Sequence, residues 1–176
     1  MNKILEPQLL QGKYVNLREV ELNDAEFILS LRCDEQKSKF LHKTENNLLK
    51  QIEYLKKYKT LDNEWYFIIE NKQDKPIGTY RIYDLKENSF CIGSWLMING
   101  AKIEEVIEGD YLAKNYGFAA LGFSKIHFDV RKDNIKVVRY HKMYGAKIVD
   151  ENDIDYFLEL TKKDFKDSEK KLISWI

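Results

Sequence analysis

The sequence is poor in cysteine: only Cys33 and Cys91 occur among its 176 residues. Two thiols that lie far apart provide neither a disulfide framework nor a cluster of metal ligands. We therefore expect two reduced thiols, as is usual in the cytoplasm, and no bound metal.

Proline is equally scarce, since Pro7 and Pro76 are the two in the chain. No stretch rich in Pro, Gly or Ser divides the sequence, and no internal repeat is visible. A length of 176 residues suits one domain. We predict a single domain over residues 1–176, with a helical tail over residues 162–176.

An excess of one charge is also missing, because 29 Lys and Arg balance 29 Asp and Glu. Nucleic-acid-binding proteins usually carry a basic excess, so the balance argues against a nucleic-acid partner. No apolar run approaches the ~18 residues of a membrane span. Residues 1–12 lack the apolar core of a signal peptide. We therefore expect a cytoplasmic protein with no membrane partner.

The residues that are present suit an α+β domain, with 44% hydrophobic and 13% aromatic side chains for a substantial core. Apolar spacing predicts strands and helices along the whole chain. The strands are 14–20, 65–70, 76–83, 90–98, 124–130, 146–149 and 154–160, and the helices are 23–33, 44–59, 103–120 and 135–144. Short connections predict an antiparallel meander for the three central strands. The result is a mixed, mostly antiparallel sheet with helices on both faces, in three layers.

Several predicted helix ends carry typical capping residues. Asn23, with Glu26 three residues later, reads as an N-cap with a capping box. Thr44 is the candidate cap of the second helix, and Asp133 or Asn134 that of the fourth. Gly145 is placed to end that fourth helix.

Two stretches, Phe128–Ala146 and Leu17–Ala25, together with the order of elements, resemble the GCN5-related N-acetyltransferase (GNAT) superfamily. The most specific is Phe128–Ala146, a strand followed by an Asn-capped helix that ends in Met-Tyr-Gly-Ala. The opening Leu17–Ala25 is similar as well. The segments 66–69, 78–84 and 93–95 resemble members that acetylate nucleotide-linked amino sugars and, more distantly, protein N-termini.

The resemblance implies an acyltransferase that moves the acetyl group of acetyl-coenzyme A to a primary amine. A nucleotide-linked amino sugar is the acceptor that it favours. A protein N-terminus, a polyamine, or a degenerate member that binds a ligand without catalysis are the alternatives. The oligomeric state stays open, with a homodimer among the possibilities.

Residues for the acyl donor follow from the resemblance. It implies that free backbone amides of the strand at Trp95, Leu96 and Met97 hold the thioester and the pantetheine arm. Gly93 lies within this strand, where an interior glycine often marks a bulge. The remaining positions implied for coenzyme A are Gly100, Ala101, Lys102, Asn134, Val137, Arg139 and Tyr140.

The loop at Gly100–Lys102 departs from the family's phosphate-binding pattern. The leading basic residue is absent, and Glu104 and Glu105 follow closely. A helix N-terminus attracts phosphate, but it attracts carboxylates too. The acidic residues here are therefore open to interpretation as simple caps.

His141 stands where many family members have the tyrosine that protonates the departing thiolate. A histidine can act as an acid or as a base because its pKa lies near neutrality. Tyr144 is a second candidate at the end of the same helix. Asp84 is a candidate base, with a turn-capping role as its alternative.

Acceptor-binding residues are predicted at Arg81, Tyr83 and His42. An inward-facing Arg81 in mid-strand requires an anion such as a substrate phosphate, whereas an outward-facing one needs no explanation. One of the central-strand aromatics is expected to stack on a ring of the substrate. His42 lies in the loop between residues 38 and 44, which borders the acceptor site in the family.

Overall fold

An eight-stranded sheet organises the protein, as the computed structural model of residues 9–40 and 43–174 shows. The strands follow the order β1-β2-β3-β4-β5-β6-β8-β7 across the sheet. They are β1 (Leu10–Gln11), β2 (Val15–Glu19), β3 (Trp65–Asn71), β4 (Pro76–Tyr83), β5 (Ser89–Met97), β6 (Lys125–Arg131), β7 (Lys147–Glu151) and β8 (Asp155–Thr161). All neighbours are antiparallel except β5 and β6. The predicted mixed sheet and its central meander are confirmed.

Six helices accompany the sheet in the described part of the chain. They are α1 (Ala25–Cys33), α2 (Glu35–Ser38), α3 (Leu48–Tyr58), α4 (Ile103–Asn115), α5 (Ile135–Met143) and α6 (Lys162–Ile173). A 3-10 turn precedes α1, and a π-helical turn, Tyr116–Ala120, extends α4. In the part of the chain that the structure describes, no helix is long and apolar enough to cross a membrane.

Alternation along β3 separates two cores, one on each face of the sheet. Phe67 and Ile69 pack in the core that includes Ile107 of α4. Tyr66 and Ile68 pack in a smaller core with α1 and α3. Successive side chains of a strand point to opposite faces, so helices cover both sides, as predicted.

The parallel pair β5 and β6 opens the sheet at its centre. The strands pair where Ser89–Cys91 lies beside Lys125–His127. Beyond this short ladder, a cavity lies between Ile92–Trp95 of β5 and Phe128–Arg131 of β6. Diverging strands leave backbone hydrogen-bonding groups available to a ligand.

Some predicted helix ends are wrong. Asn47 rather than Thr44 caps α3, because its Oδ1 accepts a hydrogen bond of 3.1 Å from Lys50 N. Asn23 falls in the 3-10 turn, and α1 begins after Asp24. Gly145, with φ of +98°, ends α5 as predicted, because glycine adopts the left-handed region without strain.

Candidate active site

A bulge in β5 marks the centre of the site. Thr79 is opposite Leu96 and Arg81 is opposite Gly93, so Ser94 and Trp95 together face the single residue Tyr80. Ser94 has φ of +49°, a left-handed conformation that is uncommon for a residue other than glycine. The bulge predicted from Gly93 exists, but the strained residue is its neighbour Ser94.

The bulge borders a cavity of about 470 Å³, here called the larger cavity. Its walls come from β4, β5, β6 and α5. Six of its lining residues are candidates from the sequence, namely Arg81, Tyr83, Trp95, Asn134, Val137 and His141. The Trp95 ring lies 5.1 Å from that of Tyr140 and 5.9 Å from that of His141, centroid to centroid.

Asn134 is at the N-cap of α5, but its side chain makes no capping hydrogen bond to the described residues. It lines the larger cavity. The amide is therefore available to a ligand, which removes the simple capping interpretation.

His141 is 3% exposed, and its Nδ1 lies 3.4 Å from the Lys114 ammonium. Burial and the positive charge of Lys114 lower the pKa of His141 to about 3, against the opposing influence of Asp110. The imidazole is therefore neutral at pH 7. The expectation of a pKa near neutrality, on which an acid or base role rested, is wrong.

Asp110 connects His141 to a buried network of hydrogen bonds. Its carboxylate accepts from Tyr80 Oη, Tyr140 Oη and Lys114 Nζ, each at 2.7 Å. Burial would raise the pKa of Asp110, but Lys114 and these hydrogen bonds hold it below its usual value. We call Tyr80, Asp110, Lys114, Tyr140 and His141 the buried network.

A smaller cavity of about 280 Å³ lies on the α1 and α3 side of the sheet. It shares Arg32, Arg81 and Ser94 with the larger cavity. Its charged lining residues are Arg32, Lys43, Glu45, Lys50 and Arg81, and its aromatic ones are Tyr54 and Tyr66. Most of the charge at this cavity is positive.

The cations of the smaller cavity differ in their partners. Lys50 pairs with Glu45, and Arg81 pairs with Glu64, both at 2.5 Å. Arg32 donates from Nε to Thr44 Oγ1 at 2.7 Å. Among the described residues, no carboxylate pairs with Arg32 or Lys43.

The negatively charged partner of Arg81 is Glu64 of the same chain. Its guanidinium lies 4.7 Å from the ring centroid of Tyr83 and 5.7 Å from that of Tyr66. Burial opposes its charge, while Tyr54 and Glu64 help to raise its pKa above the ordinary value. A substrate phosphate is thus not needed to explain its charge, although its buried Nε has no partner among the described residues.

Other predicted residues lie away from the larger cavity. Asp84 is exposed in the turn after β4, where its Oδ2 lies 3.0 Å from His127 Nε2. Its carboxylate also pairs with Lys86 Nζ at 3.7 Å and does not line the larger cavity, so its surroundings do not favour a base role. Tyr144 is 1% exposed in the core, and Arg139 is exposed on α5. Neither residue lines the larger cavity, and the burial of Tyr144 argues against its catalytic role.

The remaining candidates fall into two groups. Leu96 and Met97 continue β5 past the bulge, paired with Thr79 and Gly78. Gly100, with φ of +85°, Ala101 and Lys102 form the loop before α4, where Lys102 N donates to Glu105 Oε2 at 2.8 Å. Glu105 therefore caps this helix. His42 lies outside the described residues.

Sequence reasoning missed Arg32, Asp110, Lys114 and Asp129. Asp110 and Lys114 are spaced i, i+4 on a helix, and that spacing of opposite charges was a usable signal. Asp129 lines the larger cavity between the buried Phe128 and Val130, so it faces the side of Arg81 and Tyr83. No local sequence pattern indicates a role for Arg32, because its contact is with Ser94, 62 residues later in the chain.

A family model described as an acetyltransferase (GNAT) domain matches residues 15–147. The chain belongs to the GNAT acetyltransferase family. This GNAT protein is an acyltransferase of a family that uses acetyl-coenzyme A. Within residues 9–40 and 43–174, no group of three or more His, Cys, Asp or Glu side chains could hold a metal ion.

Solved structures of GNAT proteins match nearly the full length. The apo structure of FdhC, described as a nucleotide-linked sugar GNAT, is 34% identical with a TM-score of 0.86, over 96% of this chain and 98% of that one. The spermidine N-acetyltransferase from Vibrio cholerae, in complex with CoA and spermine, is 17% identical with a TM-score of 0.78, over 88% and 99%. The latter likeness concerns the fold alone. No curated sequence matches the chain significantly.

Proposed function

We propose that this GNAT protein transfers the acetyl group of acetyl-coenzyme A to the primary amine of a nucleotide-linked amino sugar. The observation that supports this choice of acceptor is the smaller cavity, with its cationic lining and two tyrosines beside the bulge. The 34% identity to a nucleotide-linked sugar GNAT supports the same acceptor.

The larger cavity fits the acyl donor. Its strained bulge at Ser94, its open strand edge and the free amide of Asn134 offer hydrogen-bonding groups to a flexible polar chain. We assign the backbone at Trp95, Leu96 and Met97, the side chains of Asn134 and Val137, and the loop Gly100–Lys102 to coenzyme A. The cofactor would supply the acetyl thioester. Glu105 must give up its hydrogen bond to Lys102 N if a phosphate is to use that amide.

The smaller cavity suits an anionic acceptor. A nucleotide-linked sugar carries a diphosphate, and the guanidinium of Arg32 can bind phosphate oxygens through two parallel hydrogen bonds. Tyr54 and Tyr66 offer aromatic surface to a base or sugar ring. A polyamine would instead meet Arg32 and Lys43, and repulsion between like charges disfavours it.

A primary amine must lose its proton before it can attack the thioester, because alkyl amines are mostly protonated at pH 7. The transfer forms the N–C bond of an amide and breaks the C–S bond, and the second proton that the nitrogen loses ends on the sulfur, which leaves as a thiol. Asp129 is the proton acceptor that we propose. It is exposed to the larger cavity, and it makes no ion pair with any residue that the structure describes. Asp155, the other carboxylate of that lining, pairs with Arg131 at 3.4 Å.

The acceptor is tested by acetylation assays with 3- and 4-amino sugar nucleotides, polyamines and N-terminal peptides. We expect turnover of a sugar nucleotide and none of the polyamines. Binding of acetyl-coenzyme A, measured by titration calorimetry, is the independent check of the donor. Failure to bind at millimolar concentration would contradict the transferase as well as the acceptor.

Arg32→Met separates recognition from chemistry. Charge-assisted hydrogen bonds contribute about 1.5–3 kcal/mol, so we expect KM for the sugar nucleotide to rise at least about tenfold. The control is Lys56→Met, which removes an exposed cation from α3 outside the cavity. Equal effects of both variants would remove Arg32 from acceptor binding.

A further inference from the structure

The two ring nitrogens of His141 lie in different environments. Nδ1 is 3.4 Å from Lys114 Nζ, inside the buried network. An ammonium group only donates hydrogen bonds, so Nδ1 is the acceptor and the ring proton resides on Nε2. The ring also lines the larger cavity, and Nε2 has no hydrogen-bond partner among the described residues.

Lys114 is itself held in place by Asp110. The two side chains are spaced i, i+4 on α4 and are 1% and 0% exposed, with Nζ and Oδ2 2.7 Å apart. Asp110 has further donors in Tyr80 and Tyr140, so both of its carboxylate oxygens accept hydrogen bonds. The ammonium therefore has one settled position, with His141 Nδ1 as its second acceptor.

Stability alone does not explain this ion pair. Replacing a buried ion pair with well-packed apolar residues is often neutral or stabilising, because desolvation offsets the attraction between the charges. Because apolar residues could replace the whole pair without loss of stability, its contact with a cavity-lining histidine points to a role at the cavity.

We propose that Lys114, held by Asp110, is a positioning residue that fixes His141 in the Nε2–H tautomer, so that a neutral imidazole donates a hydrogen bond into the larger cavity. Hydrogen-bond donors fixed in advance stabilise the negative charge that develops during acyl transfer. A neutral imidazole can act in this way as an electrophile. No proton leaves His141, which separates this role from that of an acid.

The charged and titratable groups around the ring agree with a neutral histidine. Lys114, Asp110 and Tyr140 face it from α4 and α5. Burial and Lys114 both oppose a positive charge on the ring, and Asp110 favours it. Without Lys114, Asp110 would be left to attract a proton to His141.

The tautomer is read directly by NMR of the full chain labelled with nitrogen-15 in its histidines, without any substrate. His141→Gln identifies the signals of His141. We expect one neutral Nε2–H form at pH 7 that persists to pH 5. In Lys114→Met we expect a mixture of tautomers or a protonated ring in that interval. An Nδ1–H or protonated ring in the parent protein, or an unchanged ring in the variant, overturns the proposal.

Kinetics supplies the second readout. His141→Gln keeps an N–H donor, whereas His141→Leu removes it at similar size. We expect kcat to fall about 10²–10³-fold in His141→Leu, the usual effect of losing one such donor, and to recover at least tenfold in His141→Gln. Equal losses in the two variants contradict the donor role. Because NMR needs no acceptor, a wrong sugar substrate would leave that test intact.

Discussion

The larger and the smaller cavity share Arg32, Arg81 and Ser94, but they differ in how their charges are compensated. Behind the larger cavity, Lys114 and Asp110 cancel each other inside the buried network. The smaller cavity keeps Arg32 and Lys43 without a carboxylate partner in the described chain. The buried charges behind the side that we assign to the acyl donor are thus paired, and the acceptor side keeps two cations that need an anion.

This difference indicates where recognition is encoded. In our assignment, backbone groups and a network without net charge bind the cofactor that the family uses. Side-chain charges on α1 and in the loop before α3 bind the acceptor. The same substitution, a cation replaced with methionine, should therefore lower the free energy of unfolding on the donor side and raise the KM for the acceptor on the other side.

The largest effect is expected for Lys114→Met, which leaves the Asp110 carboxylate buried and unpaired. Breaking a buried pair in this way typically costs 3–5 kcal/mol, so the free energy of unfolding should fall by about that amount. Urea unfolding measures it. The matched control, Lys163→Met, breaks an exposed i, i+4 pair with Asp167 and should cost less than about 1 kcal/mol. Similar losses would mean that the network is not insulated from water.

Asp129→Asn should lower kcat about 10²-fold, because a positioned general base contributes roughly 10²–10⁴-fold. Asp84→Asn is the comparison variant, because the sequence suggested Asp84 as the base. In the structure Asp84 lies in a turn, where it bonds to His127. A larger loss in Asp84→Asn would reverse our choice of base.

The buried network also predicts a dependence of stability on pH. The pKa of His141 falls from 6.5 to about 3 on folding. The unfolded chain therefore binds a proton below about pH 6.5 that the folded chain does not. Stability contributed by the neutral ring is fully present above pH 6.5 and is lost as the pH falls towards 3.

Unfolding free energies of the parent protein and His141→Gln at pH 5, 6 and 7 test this dependence. Below pH 6.5 the parent should lose about 1.4 kcal/mol per pH unit more than the variant. The variant differs from the parent protein only at position 141, so the difference between the two slopes reports the ring. Parallel slopes would show that His141 is accessible to protons.

Local patterns predicted the frame of the molecule well. The run 76–83 gave strand β4 with its observed bounds, and Gly145 ended α5, because strand periodicity and left-handed caps are local properties. Thr44 does not cap the helix, because its hydroxyl instead accepts a hydrogen bond from Arg32. Both Thr44 and Asn47 are suitable caps, and the sequence does not choose between them.

The site was predictable where it depends on the backbone and less so where it depends on packing. Trp95 and Asn134 fell at the larger cavity because they belong to recognisable local segments. The pKa of His141 and the partner of Arg81 depend on residues 27 and 17 positions away. Contacts between residues so far apart in sequence depend on how the helices and strands pack. That packing cannot be derived from a single sequence.

The smallest effect is expected at the meeting point of the two cavities. Thr79 Oγ1 donates to the Ser94 carbonyl oxygen at 2.7 Å and so holds the strained bulge. Thr79→Val removes that hydrogen bond at nearly constant volume and should lower the free energy of unfolding by about 1 kcal/mol. Thr60→Val deletes an exposed hydrogen bond of the same length, to Lys57 O, and should change stability by less than about 0.5 kcal/mol. If the bulge positions both substrates, Thr79→Val should raise the KM values for acyl donor and acceptor together, and a change in only one would assign the bulge to that side.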